Sequence, residues 1–186
     1  MKNIVIFASG TGSNAENIIR FFSKNDSKRV AAVFCNNPNA LVLEKAKQWN
    51  VPTVVFTKEE LSGTFVWQQL QKFETDLIVL AGFLWMFPKV LIQAYPNKVI
   101  NIHPALLPKY GGKGMYGNHV HEAVLKNNET ETGITIHYVN EHYDEGGIIF
   151  QKSVSIAHCK TVEDVAQKIQ ELEHECFPEV ISKILL

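Results

Sequence analysis

The chain has 186 residues, 46% of them hydrophobic, and its 18 lysines and arginines nearly balance 19 acidic residues for a formal net charge of −1. That is enough apolar material for one domain with a real core. The charge balance excludes the strongly basic face that nucleic acid or an anionic membrane would require. Arginine stands only at Arg20 and Arg29, so sixteen of the basic residues are lysine. Any phosphate must then be met by backbone amides, a helix end or lysine, because paired guanidinium forks are lacking over most of the chain. Cys35, Cys159 and Cys176 are scattered without metal-ligand spacing, as expected of thiols in a reducing cytoplasm. No apolar run reaches the roughly 18 residues of a membrane span, and the first one is too short for a secretion signal. The expectation is a soluble, cytoplasmic protein.

In chain order the pattern alternates. NIVIFA (3–8) predicts a buried strand, and a helix follows from Asn14 to about Phe22. RVAAVFC (29–35) predicts the second strand, a helix covers Ala40–Trp49, and TVVF (53–56) is a short third strand. Helical spacing returns over Thr64–Phe73, then DLIVLAG (76–82) is apolar on both faces, as in parallel sheets covered on both sides. A short helix over Pro88–Ala94 precedes a fifth strand, KVINIH (98–103). A glycine-rich loop (111–117) and a helix over 118–126 lead to two alternating runs, TGITIHYV (132–139) and GIIFQKSVSI (147–156). Two consecutive strands without a helix between them predict an antiparallel addition to the sheet edge. Thr161 and Asp164 resemble a capping box opening a terminal helix in which Pro178 marks a kink or a restart. The predicted fold is a single doubly wound, mostly parallel α/β domain over residues 1–186, Rossmann-like, with a C-terminal antiparallel hairpin and a last helix.

In such sheets ligands bind beyond the C-terminal strand ends near the switch point. The first such end reads ASGTGSNA. Gly10-x-Gly12-x-x-Ala15 fits a relaxed dinucleotide fingerprint, but Cys35-Asn36-Asn37 stands where the ribose-binding acid belongs. Gly12, Ser13 and Asn14 at a helix N-terminus suit a phosphate instead. Ser13 or Asn14 acting only as the helix cap is the plainer alternative.

The second notable end is Asn101-Ile102-His103. Residues two apart in a strand project to the same side, so an amide and an imidazole stand together. Together they suit a carbonyl oxygen turning into an oxyanion, with the imidazole also moving protons. Local backbone satisfaction is the competing explanation. Asp144, in the turn between the last two strands, would stabilise an imidazolium at His103 and raise its pKa. Taken alone it reads as an ordinary turn residue.

Five motifs carry a resemblance: GTGSN at 10–14, LAGF at 80–83, NIHPALLPKY at 101–110, the Gly133–Gly146 pattern, and ELEH at 171–174. Along nearly its whole length the chain resembles the folate-dependent phosphoribosylglycinamide formyltransferases of de novo purine synthesis. The resemblance implies transfer of the formyl group of 10-formyltetrahydrofolate to the amine of 5-phosphoribosylglycinamide, with no metal. It makes Asn101, His103 and Asp144 the catalytic group. It puts Gly12, Ser13, Asn14 and Glu173 on phosphoribosylglycinamide, and Leu84, Trp85, Met86, Phe87, Ile92 and Asn101 on the folate. Small-molecule substrates are implied, in a monomer or homodimer, with neither nucleic acid nor membrane as partner.

Trp85 stands where the family commonly has arginine, and residues 57–65 lack the arginine expected to grip substrate; Lys58 is a stand-in. The longer loop over 109–118 offers Lys113 and Tyr116 to a ligand as a flap. His119 and His121 do not share a helix face and lack completing ligands for a metal, while His137 reads as a supporting sheet residue. Three other functions compete. A formyltetrahydrofolate hydrolase would carry an extra N-terminal domain, and a methionyl-tRNA formyltransferase a basic C-terminal one. A non-catalytic nucleotide-binding module would not need Asn101, His103 and Asp144.

Overall fold

The structure is a computed structural model describing residues 1–186. Its first half is built from β1 (Lys2–Ala8), α1 (Ser13–Phe22), β2 (Lys28–Cys35), α2 (Leu41–Gln48), β3 (Thr53–Val55), α3 (Lys58–Ser62) and α4 (Phe65–Lys72). Then come β4 (Leu77–Leu80), α5 (Lys89–Ala94), β5 (Val99–His103), α6 (Asn118–Lys126), β6 (Glu131–Tyr138), β7 (Ile148–Ser155) and α7 (Val162–Ile184). All seven strands join one sheet in the order β3-β2-β1-β4-β5-β6-β7. The pairs from β3 to β5 are parallel, whereas β5–β6 and β6–β7 are antiparallel. The predicted doubly wound sheet with an antiparallel edge is the one observed.

Alternate residues of β1 feed opposite layers, as the pleat dictates. Ile4, Ile6 and Ala8 pack with α1, α2, α6 and α7, while Val5 and Phe7 face α4 and α5. On the second side Phe7 meets Phe34, Phe83, Phe87 and Phe56 with ring centroids 5.0–5.7 Å apart. This aromatic layer is the platform from which residues 83–87 leave the sheet.

Two differences from the sequence reading have local causes. α3 precedes the expected helix because Thr57 and Glu60 form a reciprocal capping box, each accepting from the other's backbone N–H. β4 ends at Leu80 rather than 82, because Gly82 takes φ 73° and turns the chain out of the sheet. The Thr161–Asp164 box closes on α7 as expected, with aspartate serving in the acidic position. Helix α7 then runs unbroken through Pro178 rather than restarting there, although an interior proline costs about 3 kcal/mol or more. No helix is long and apolar enough to cross a membrane.

Candidate active site

The strand order reverses between β1 and β4, and the loops after them are stitched together. Ser9 donates its N–H to the Gly82 carbonyl at 3.1 Å, and its hydroxyl accepts from Leu84 N at 3.0 Å. A cleft of about 730 Å³ opens above this switch point, within the usual range for small-molecule sites.

β5 delivers Asn101 and His103 to the cleft floor, and the antiparallel register sets His137 opposite Asn101 and Thr135 opposite His103. His137 sits at a bulge in the β6–β7 pairing. Its Nδ1 lies 2.9 Å from the Tyr138 carbonyl, which only accepts, so Nδ1 carries the proton. Whenever the ring carries that single proton, Nε2 accepts from Asn101 Nδ2 at 3.1 Å; a second proton there would turn to Asp144. This assignment fixes the orientation of the Asn101 amide and leaves it a second N–H for the cleft. The loop after β5, which contains a cis Leu107–Pro108 bond, is latched by the Thr135 hydroxyl. That oxygen donates to Ala105 O at 2.7 Å and accepts from Leu107 N at 3.0 Å. Gln151 donates to Leu107 O at 2.9 Å.

His103 is 3% exposed. Its Nε2 donates to the Tyr110 carbonyl at 2.7 Å, and its Nδ1 faces Asp144 Oδ2 at 3.5 Å. Tyr110 and Asp144 are both held in the left-handed region, with φ of 56° and 58°. The turn after β6 folds back over the sheet because Gly146 lies against the Tyr138 carbonyl, where any Cβ would collide. Asp144 thereby reaches both imidazoles, with Oδ1 3.6 Å from His137 Nε2, and it accepts the Gly112 N–H at 3.0 Å. Burial pushes the Asp144 carboxyl upward, but His137, His103 and the Gly112 N–H outweigh it and hold it below the usual aspartate range. For His103 the balance falls the other way. Burial lowers its pKa more than Asp144 and the Tyr110 carbonyl raise it. Asp144 raises it as expected, but burial more than cancels that rise, so the ring rests neutral with its one N–H on the Tyr110 carbonyl and the Nδ1 lone pair on the Asp144 side.

The opposite wall joins α1 to α7. Gly12 occupies the N-cap position of α1 and no side chain caps its first turn, so those N–H groups stay open. The cap reading for Ser13 and Asn14 fails, since Asn14 donates its Nδ2–H to Glu173 Oε2 at 2.8 Å. Thr11, Asn14 and Glu173 line the cleft, whereas Gly12 and Ser13 do not. Gly12 packs so closely on Val42 that a side chain would clash. Desolvation lifts the Glu173 carboxyl to about 7, against the lowering effect of Asn14.

Leu84, Trp85, Met86 and Phe87 line the cleft, with Leu84 51% and Met86 46% exposed, while Phe87 is rooted in the aromatic layer. Ile92, a turn into α5, stands behind that segment in the second core layer rather than on the cleft surface. Lys113 and Tyr116 do line the cleft, and Lys113 is the one lysine or arginine that does, so Lys58 is not a replacement there. His119 is exposed beside Glu122 at 3.8 Å, while His121 is buried at the cleft with Nδ1 unpartnered.

The formyl transferase family model matches residues 2–181. The chain is 37% identical over 191 residues to the phosphoribosylglycinamide formyltransferase of Bacillus subtilis (strain 168), covering 100% of this chain and 95% of that one. The chain belongs to the formyl transferase family, among the phosphoribosylglycinamide formyltransferases. It is also 37% identical to the chloroplastic phosphoribosylglycinamide formyltransferase of Arabidopsis thaliana over 98% of its own length, and spans 65% of that relative. The crystal structure of glycinamide ribonucleotide transformylase 1 from Geobacillus kaustophilus superposes with a TM-score of 0.90 at 34% identity, with 100% of both chains covered.

Sequence reasoning underweighted His137 and missed the Tyr110 carbonyl and the Gly112 N–H. The Gly133–Gly146 pattern contains His137, but only the strand register pairs it with Asn101.

Proposed function

We propose that the cleft transfers the formyl group of 10-formyltetrahydrofolate to the amine of 5-phosphoribosylglycinamide, in de novo purine synthesis, by direct attack without a covalent enzyme intermediate. The observation that carries this reading is the convergence of Asn101, His103 and Asp144 on one cleft that Glu173 also lines. The amine attacks the formyl carbon, and the oxygen gaining charge accepts the free N–H of Asn101. The attacking nitrogen gives up a proton to His103 Nδ1. The resulting imidazolium is stabilised by Asp144 and adds a second donor to the oxyanion. It then returns the proton to the folate nitrogen as the C–N bond breaks. Tyr110, through its carbonyl, keeps the ring oriented throughout.

The phosphate end of phosphoribosylglycinamide lies at the open N–H groups of α1, at Gly12, Ser13 and Asn14, with Glu173 on the glycinamide. The pterin lies against residues 84–87 and Asn101, its apolar faces matched to theirs. Lys113 is the cation available to the anionic groups of either substrate. Holding the two substrates together supplies much of the rate. No metal takes part in this scheme. The three unpaired cysteines fit a cytoplasmic enzyme.

The test is to incubate the protein with 10-formyltetrahydrofolate with and without phosphoribosylglycinamide. Tetrahydrofolate release that requires the amine is expected. Equal release without it would make the chain a hydrolase.

A further inference from the structure

Pro178 in α7 has no N–H to give the carbonyl four residues before it. That carbonyl belongs to His174, the neighbour of Glu173. The donor comes from another helix: Asn17 on α1 gives its Nδ2–H to the His174 oxygen at 2.9 Å. Arg20 fixes which way this amide points, because its Nη2 donates to Asn17 Oδ1 at 2.7 Å. Asn17 is 8% exposed, and a buried amide of this kind is retained where it has partners. One turn earlier on the same face of α1, Asn14 holds the Glu173 carboxyl. Two consecutive residues of α7 are thus gripped by two asparagines three apart on α1, one through a side chain and one through the backbone.

Ile18, Leu172 and Phe177 add apolar contact in the same core layer. Apolar burial is non-directional, and such contacts can repack around a small slip between two helices. A hydrogen bond to a backbone carbonyl resists that slip, because that oxygen cannot change rotamer. We infer that Asn17 and Pro178 form a positioning pair for substrate binding: the proline leaves the His174 carbonyl free, and Asn17 takes it to tether α7 to α1, fixing where Glu173 stands at the cleft. Asn17 does not line the cleft and acts through Glu173. The inference rests on the reading of the α1–α7 wall as the phosphoribosylglycinamide subsite.

The test separates tethering from mere satisfaction of a carbonyl. In Asn17→Ala the Kd and KM for phosphoribosylglycinamide rise about five- to tenfold, the folate KM and kcat stay within about twofold, and Tm falls. Pro178→Ala restores an internal N–H while Asn17 keeps its bond, so Tm holds or rises as the helix is relieved of its proline, and both KM values hold. In the double variant the restored backbone N–H satisfies the carbonyl and Tm recovers, yet KM for phosphoribosylglycinamide stays raised because the link between helices is gone. A KM that recovers together with Tm overturns the inference, as does an unchanged Kd in Asn17→Ala or a KM rise in Pro178→Ala alone. If Asn17→Ala does not fold, the double variant carries the same reading. Wild-type protein that fails to bind phosphoribosylglycinamide at all would instead sink the subsite assignment.

Discussion

Two carboxyl groups face each other across the cleft and are treated in opposite ways. Asp144, on the β5–β6 side, receives a backbone N–H and stands beside two imidazoles, which together overcome its burial. Glu173, on the α1–α7 side, has one amide donor and is lifted to about 7. Both are acids in a half-enclosed site, and what separates them is the number and charge of their partners. One wall keeps its carboxyl below the usual aspartate range, beside two imidazoles. The other keeps a carboxyl poised between its two forms at neutral pH, where it can both donate to and accept from a polar substrate.

The comparison is tested hardest on the Asp144 side. His103→Ala or Asn101→Ala lowers kcat by at least about 10²–10³ with the fold intact by circular dichroism. A variant within about threefold of wild type would remove that residue from the mechanism. Asp144→Asn keeps the shape but removes the charge, and kcat falls by about 10². The acid limb of its kcat/KM profile moves to lower pH, since His103 loses the carboxylate that was raising its pKa. An unmoved limb would separate Asp144 from His103. His137→Phe frees the Asn101 amide and costs about tenfold in kcat, with both KM values little changed, as expected of one misaligned neutral donor.

On the other wall the effect is smaller and has its own sign. The folded carboxyl of Glu173 holds its proton to higher pH than the unfolded one, so its contribution to stability is complete below the ordinary glutamate range and is lost as pH rises through about 7. Glu173→Gln cannot ionise, so the fall in Tm between pH 5 and pH 8 is shallower than in wild type. Any inflection near pH 7 in phosphoribosylglycinamide affinity flattens in parallel. Identical Tm slopes in the two proteins would show that Glu173 is not the group titrating there. At the rim, Lys89 and Glu141 form an exposed pair at 2.9 Å, and Lys89→Ala shifts Tm by no more than about 2 °C.

The two walls also differ in how much of them could be read before any coordinates. Asn14 and Glu173 are 159 positions apart, and nothing local to either says that they touch. The ELEH motif pointed to Glu173 only through resemblance. On the floor, strand periodicity was sufficient to set Asn101 beside His103, because the pleat is a local property. It was not sufficient for the state of His103. A neighbouring carboxylate was expected to raise its pKa, but the ring is almost fully buried and desolvation prevails. Ile92 is a similar case: an apolar residue near a ligand-lining segment is placed on the cleft or behind it only by the docking of the helix that carries it. The unforeseen α3 is a different case, since its Thr57–Glu60 box stood in the sequence and was passed over.

The strand-helix alternation, the two apolar faces of the central strands, the α7 capping box and the shared side of Asn101 and His103 were legible in the residues alone. All of these follow from backbone periodicity and nearest-neighbour chemistry. Tertiary packing alone set His137 against Asn101, buried His103 so that its pKa falls while the Tyr110 carbonyl takes its Nε2–H, and brought Asn17 to the carbonyl freed by Pro178. Each of those depends on which distant backbone group comes within hydrogen-bonding reach and on how much water is excluded around it. Local pattern does not encode those quantities.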